Sequence, residues 1–224
     1  MIKRFIILVF LLAVSYTSGI AQTMFSIATD LSLLKSIKKD QRFFTAGQNI
    51  VGHFNYTKKD AVFISVAYYS TGKFKNNLSA KAKLSTTVPQ VISFDNLAEM
   101  KIKQVSLGMK HYFKGTIDAE GQWNLYGTAG FGLLIGIIQN TYSTNIDSGK
   151  YFLPSNPIPG KGNFKRLTMD LGLGAELPLG AGMFFYGEGR VWLPSSSYPS
   201  SYLFVNEKAP FIITTNFGIR ILFD

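Results

Sequence analysis

Cysteine is absent from the 224 residues, which excludes disulfide staples, thiolate metal sites and a lipid-bearing cysteine. Histidine is nearly absent as well. His53 and His111 stand alone, and without an HExxH motif or ligand spacing they imply no metal centre. Charged residues make up 16% of the chain, where a soluble surface carries about 25–35%. Beyond the first residues no apolar run approaches the roughly 20 residues that a membrane helix requires. GxGxxG is missing too, and the glycine pairs of GFG, GLG and GEG lie inside alternating segments instead of opening a phosphate-binding helix, so no cofactor is expected. The formal charge is +10, yet the lysines are scattered without interleaved arginines and aromatics, so no nucleic-acid partner is expected either.

What the chain does have begins at its first residues. MIKRFIILVFLLAVSYTSGIAQ sets Lys3 and Arg4 before an apolar run at 5–14 and small residues up to Ala21. That is the pattern of a secretory signal peptide over 1–21, leaving 22–224 as the mature domain. An exported chain that crosses a membrane without helices must close into a barrel, because lipid cannot satisfy an open sheet edge.

The mature chain alternates apolar and polar residues with a period of two, which predicts strands. MFSIATDLSLL puts Phe25, Ile27, Leu31 and Leu33 on one face, and LTMDLGLGAEL separates Leu167, Met169, Leu171 and Leu173 from Thr168, Asp170, Gly172 and Gly174. Six more such segments lie within FFTAGQNIVGHFNY, AVFISVAYYSTG, VSLGMKHYF, WNLYGTAGFGLLIG, MFFYGEGRVWLP and ITTNFGIRILF. Long connections around 72–100, 140–165 and 194–210 fall at one end and tight ones at 57–60, 114–122 and 178–182 at the other. The expectation is an all-β, eight-stranded antiparallel transmembrane barrel with short periplasmic turns and longer extracellular loops. A soluble sandwich is the alternative, but it should carry more outward charge and need not gather its long connections at one end.

The stretch GAELPLGAGMFFYGEGRVWLP carries Glu176, Glu188 and Arg190 inside one of the most apolar parts of the chain. Asp30, Lys110, Asp170 and Arg220 share their inward parity, and four acids against three bases can compensate one another inside a narrow lumen. The interior is either a structural ion-pair core or a conducting, ion-coordinating or catalytic one. The first is preferred, since eight strands enclose a space that side chains can fill.

The mature chain resembles the eight-stranded outer-membrane β-barrels of Gram-negative bacteria: the OmpA-like transmembrane domain, OmpX-like proteins, and the porin-like barrel proteins of Bacteroidetes. The residues that carry the likeness are the leader, LTMDLGLGAELPLGAGMFFYGEGRVWL and the terminal NFGIRILFD, where Phe223 is penultimate instead of last. The resemblance implies a place in the bacterial outer membrane among its lipids and lipopolysaccharide, and insertion by the barrel-assembly machinery. It transfers no catalytic residue. Some small outer-membrane barrels are lipid A-modifying enzymes that use a serine and a histidine, but the register turns Ser106 inward and His111 outward, so no such pair assembles. Function is therefore expected in the loops, where Tyr142, Tyr151, Phe152, Tyr198, Tyr202 and Phe204 could present a surface to an external protein or glycan. A small porin and a lipid A-modifying enzyme are the competing readings.

Overall fold

The computed structural model describes residues 24–196 and 198–223, so the expected leader at 1–21 lies outside the described residues. Ten strands run in chain order: β1 (Met24–Ser36), β2 (Phe43–Asn55), β3 (Asp60–Tyr69), β4 (Gly72–Ala82), β5 (Val91–Lys114), β6 (Asn124–Tyr142), β7 (Tyr151–Phe152), β8 (Gly160–Gly180), β9 (Met183–Pro194) and β10 (Ile212–Phe223). All pairings are antiparallel. β1 pairs with both β2 and β10, and the sheet closes on itself where β3 meets β5, from Asp60 opposite His111 to Tyr68 opposite Lys103. No edge of the closed ring β1-β2-β3-β5-β6-β8-β9-β10 is left unpaired along its shared wall, which is the condition for a sheet to stand in lipid.

The expected count of eight is corrected to ten. β4 and β7 stand outside the ring, in connections that the sequence reads as loops: β4 pairs with the distal part of β5, and Lys81–Ala82 of β4 with the two residues of β7. Their patterns explain the miss. Along β4 the inner face, Phe74, Asn76, Leu78 and Ala80, is broken by the polar Asn76 and alternates with exposed lysines, asparagine and serine, so its apolar period is short. A two-residue strand such as β7 is too short to show a period. β5 is also far longer than expected, because beyond Val105 its outward face turns to Lys103, Lys101 and Glu99 and the apolar signal stops.

Alternation along the ring separates two environments. The outward parity carries exposed apolar side chains all round, among them Leu31, Ile50, Val66, Leu107, Phe131, Leu173, Phe185 and Ile219, with Phe131 72% and Leu173 64% exposed. A continuous apolar wall of this kind is what lipid contact requires and what water disfavours. At the short-turn end it is rimmed by rings: Phe25 lies 5.2 Å from Phe54 and 6.1 Å from Phe223. The β8–β9 turn reverses through three residues of positive φ, Gly180, Ala181 and Gly182, two of them glycines that adopt the conformation freely.

Candidate functional site

The lumen is filled in three layers. Nearest the long loops lies an apolar layer built by Leu34, Phe43, Tyr69, Met100, Ile102, Leu134, Phe164 and Trp192. The Tyr69 and Trp192 rings meet edge to face at 5.8 Å. Leu203, from the β9–β10 connection, is fully buried in the same layer, so that connection folds back into the mouth. It is held there by Arg166, whose Nε donates to the Ala209 carbonyl at 3.1 Å and Nη2 to Asn206 at 3.2 Å, and by Gln41, which donates to the Val205 carbonyl at 2.8 Å.

The middle layer gathers all seven charged residues expected inside. Glu176 takes the Lys110 ammonium on one oxygen, Arg220 through Nε at 3.1 Å and Nη2 at 2.8 Å, and the Tyr112 hydroxyl at 2.9 Å. Arg190 pairs with Glu188, its neighbour on the same face of β9. Asp30 accepts from Asn49 at 3.0 Å and Tyr186 at 2.6 Å. Asp170 accepts from Gln104 at 2.9 Å, Thr168 at 2.6 Å and Ser106. The cations also lie over rings, Lys110 at 3.7 Å from the Tyr126 centroid and Arg220 at 4.1 Å from Phe184. Glu176, Lys110, Arg220, Glu188 and Arg190 are thus ion-paired, as charges taken out of water require, while Asp30 and Asp170 are held by neutral donors.

Glycines make room for the network. A Cβ on Gly132 would collide with Gln104, Ser106 and Thr168, three of the groups around Asp170, and one on Gly174 would strike the Tyr126 ring. A space of about 10 Å³ at the centre is bordered by His53, Lys110, Glu176, Glu188, Arg190 and Arg220, which is room for about one water.

A third cluster lies at the short-turn end. Ile117, from the β5–β6 turn, is buried against Tyr112 and Tyr126, and the Arg220 Nη2 donates to its carbonyl at 2.9 Å. The turn is pinned by Ile117 N–H to the Lys58 carbonyl at 3.0 Å and by Gly182 N–H to Glu120 at 2.8 Å.

Of the six loop aromatics, Tyr151 is buried and donates to the Pro89 carbonyl at 3.0 Å, and Tyr142 donates to the Pro157 carbonyl at 2.6 Å. Tyr202 and Phe204 are half-buried against apolar clusters. Phe152 and Tyr198 stay exposed, at 61% and 69%. The apolar alternation of β8 starts at Leu167 and so does not mark Arg166, and the mixed parities of β2 do not give His53 a side; its parity with Val51 and Asn55 places it inside. Ser106 donates to Asp170 within the lumen, whereas His111 faces outward 2.7 Å from Asp60.

No family model matches the chain, and no curated protein matches it. Among solved structures, Neisserial surface protein A is similar with a TM-score of 0.54 and 11% identity, over 88% of this chain and 96% of that one. Ail, the attachment invasion locus protein of Yersinia pestis, is similar at 0.49 and 12% identity, over 91% and 100%. The outer membrane protein OprG of Pseudomonas aeruginosa follows at 0.47 and 11%, over 90% and 96%. The expected membership of an eight-stranded family is corrected by the ten strands. What stands is a likeness of fold, carried by Neisserial surface protein A, and no ligand or activity comes with it.

Proposed function

We propose that the protein is an integral outer-membrane barrel, exported behind the 1–21 leader and inserted as one domain over 22–224 by the barrel-assembly machinery. Its lumen is a structural core, and its long-loop end recognises an external protein or glycan. The observation that carries the membrane reading is the apolar outer belt around a closed ring whose buried charged groups face inward. The two caps and the filled middle layer support a non-conducting interior over a porin. The separation of Ser106 from His111 by the barrel wall supports a non-catalytic role.

Support for recognition comes from the crown. The hairpin of β4 and distal β5 ends in a tip where Leu84 and Val88 are 67% and 87% exposed, Phe152 is exposed opposite Lys81 of the same hairpin, and Tyr198 is exposed in the β9–β10 connection at the same end of the barrel. Apolar side chains held in water by a rigid hairpin suit a partner surface. Because the chain has no native cysteine, one introduced thiol reports its own location. Ser85→Cys at the hairpin tip should react with a membrane-impermeant maleimide on intact cells, while Gly121→Cys in the short-turn cap should react after lysis alone. Equal labelling of both, or recovery of the protein as a soluble periplasmic monomer, contradicts the reading.

A further inference from the structure

The outer wall carries a second, uneven pattern at the long-loop end. Val66, Val105, Leu133 and Leu167 form one of the last apolar rows across β3, β5, β6 and β8. One pleat higher the row reads Tyr68, Lys103, Ile135, Lys165, each directly opposite the next. Lys101 flanks Ile137 in the following row, and Lys161 flanks Gln139 in the one after. All four lysines are exposed, and none makes a salt bridge among the described residues, since the nearby Glu99 is taken by Lys73 at 3.0 Å. A shallow cavity of about 190 Å³ lies among Lys101, Lys161, Ile137, Gln139, Thr71 and Glu99, the last with its carboxylate held by Lys73. At the corresponding end of β1, β2, β9 and β10 the outward residues are Lys35, Phe44, Val191, Leu193 and Ile213, so the charge is gathered on one side of the barrel.

Strand spacing sets the scale of the patch. Lys103 and Lys165 sit two strands apart, about 10 Å, and each pleat pair along a strand adds roughly 7 Å. Four ammonium groups outside any salt bridge, with the Lys73-paired Glu99 as the one carboxylate at their upper edge, thus cover an area comparable to a phosphorylated sugar headgroup, with isoleucines between them and an apolar wall beneath. A soluble polyanion would have no use for that wall. A lipid uses both parts, its phosphates meeting the lysines while its acyl chains run down past Leu133 and Phe131. The geometry points to a docking site for a phosphate-bearing glycolipid of the outer leaflet on the face of β5, β6 and β8, an assignment that rests on the membrane reading above.

The test uses purified full-length mature barrel in phosphatidylcholine nanodiscs, with bis-phosphorylated lipid A or its dephosphorylated form as the probe and native mass spectrometry as the readout. Wild type should favour the phosphorylated form. Lys103→Gln/Lys165→Gln should weaken that binding by roughly fivefold for each lysine removed, and adding Lys101→Gln/Lys161→Gln should abolish the preference. Lys58→Gln/Lys59→Gln at the short-turn end should leave it unchanged. Unheated gel mobility checks that every variant is folded, and the double variant serves where the quadruple one is not. The assignment is overturned if wild type shows no preference, if the short-turn variant loses as much as Lys103→Gln/Lys165→Gln, or if inorganic phosphate competes at the concentration of lipid A. Failure of wild type to enter nanodiscs at all sinks the membrane reading instead, whereas insertion without preference sinks this site alone.

Discussion

Removing the Glu176 carboxylate is the perturbation to which the middle layer should be most sensitive. It is 1% exposed and serves Lys110, Arg220 and the Tyr112 hydroxyl at once. Glu176→Gln keeps the shape but leaves two buried cations without their shared anion. Breaking one buried ion pair costs about 3–5 kcal/mol, and a carboxylate shared by two cations belongs at the upper end, about 4–5 kcal/mol. With a urea slope of about 2 kcal/mol per M, the midpoint should fall by roughly 2 M. The assay is urea titration in phosphatidylcholine vesicles, followed by the fluorescence of the two tryptophans, Trp123 and Trp192, and by unheated gel mobility. Glu99→Gln is the control. Its partner Lys73 is 75% exposed, so the loss should stay below about 1 kcal/mol, a shift under roughly 0.5 M. Lys110→Met combined with Glu176→Gln should cost less than the sum of the two single changes, by about 1–3 kcal/mol, because it removes a cation along with its anion. Equal shifts for Glu176→Gln and Glu99→Gln would refute the description of the middle layer as a desolvated network.

Other outcomes follow from the same geometry. Gly132→Ala should destabilise the barrel by about 1–3 kcal/mol, because its methyl enters the space of Gln104, Ser106 and Thr168, while Gly189→Ala, which meets nothing within 4 Å, should be close to neutral in the same titration. In the short-turn cap the Thr116 hydroxyl, 2.7 Å from Asp118, holds that carboxyl below the ordinary carboxylate range. Its contribution is therefore present above about pH 4 and lost as pH falls through the lowered value, so amide exchange at 116–120 should quicken in acid, and Asp118→Asn should remove the pH dependence. Tyr151→Phe should loosen the β4–β7 contact, read as faster exchange at Lys83, while Tyr198→Ala should leave stability unchanged and reduce capture of an external partner.

The ring strands were legible because lipid and lumen impose opposite demands on alternate residues. Leu167 through Leu177 on β8 display that contrast without a break, and each of the eight expected segments falls in a ring strand. Legibility ended where the outer environment turned from lipid to water. Lys161 and Lys165 continue the outward parity of β8, and Glu99 to Lys103 that of β5, but with charged side chains they read as loop. The two extra strands lie wholly in that region. The inward charges could be placed by parity, yet their partners could not: Glu176 of β8 meets Lys110 of β5 and Arg220 of β10 across the lumen, a relation set by barrel closure and strand stagger and invisible in local spacing. The caps were likewise unreadable. Ile117 and Leu203 sit in polar connections, and only the folded chain shows that each turns back into a mouth.

The central claim is that the barrel is sealed, and single-channel recording of the full-length mature protein in planar bilayers tests it most directly. The filled layers predict a baseline without stable steps, for wild type and equally for Glu188→Gln and Arg190→Gln, because the apolar layer and the Ile117 cap close the lumen on either side of that pair. Reproducible conductance steps in the wild type, with an ion selectivity that changes when either residue is neutralised, would contradict the account.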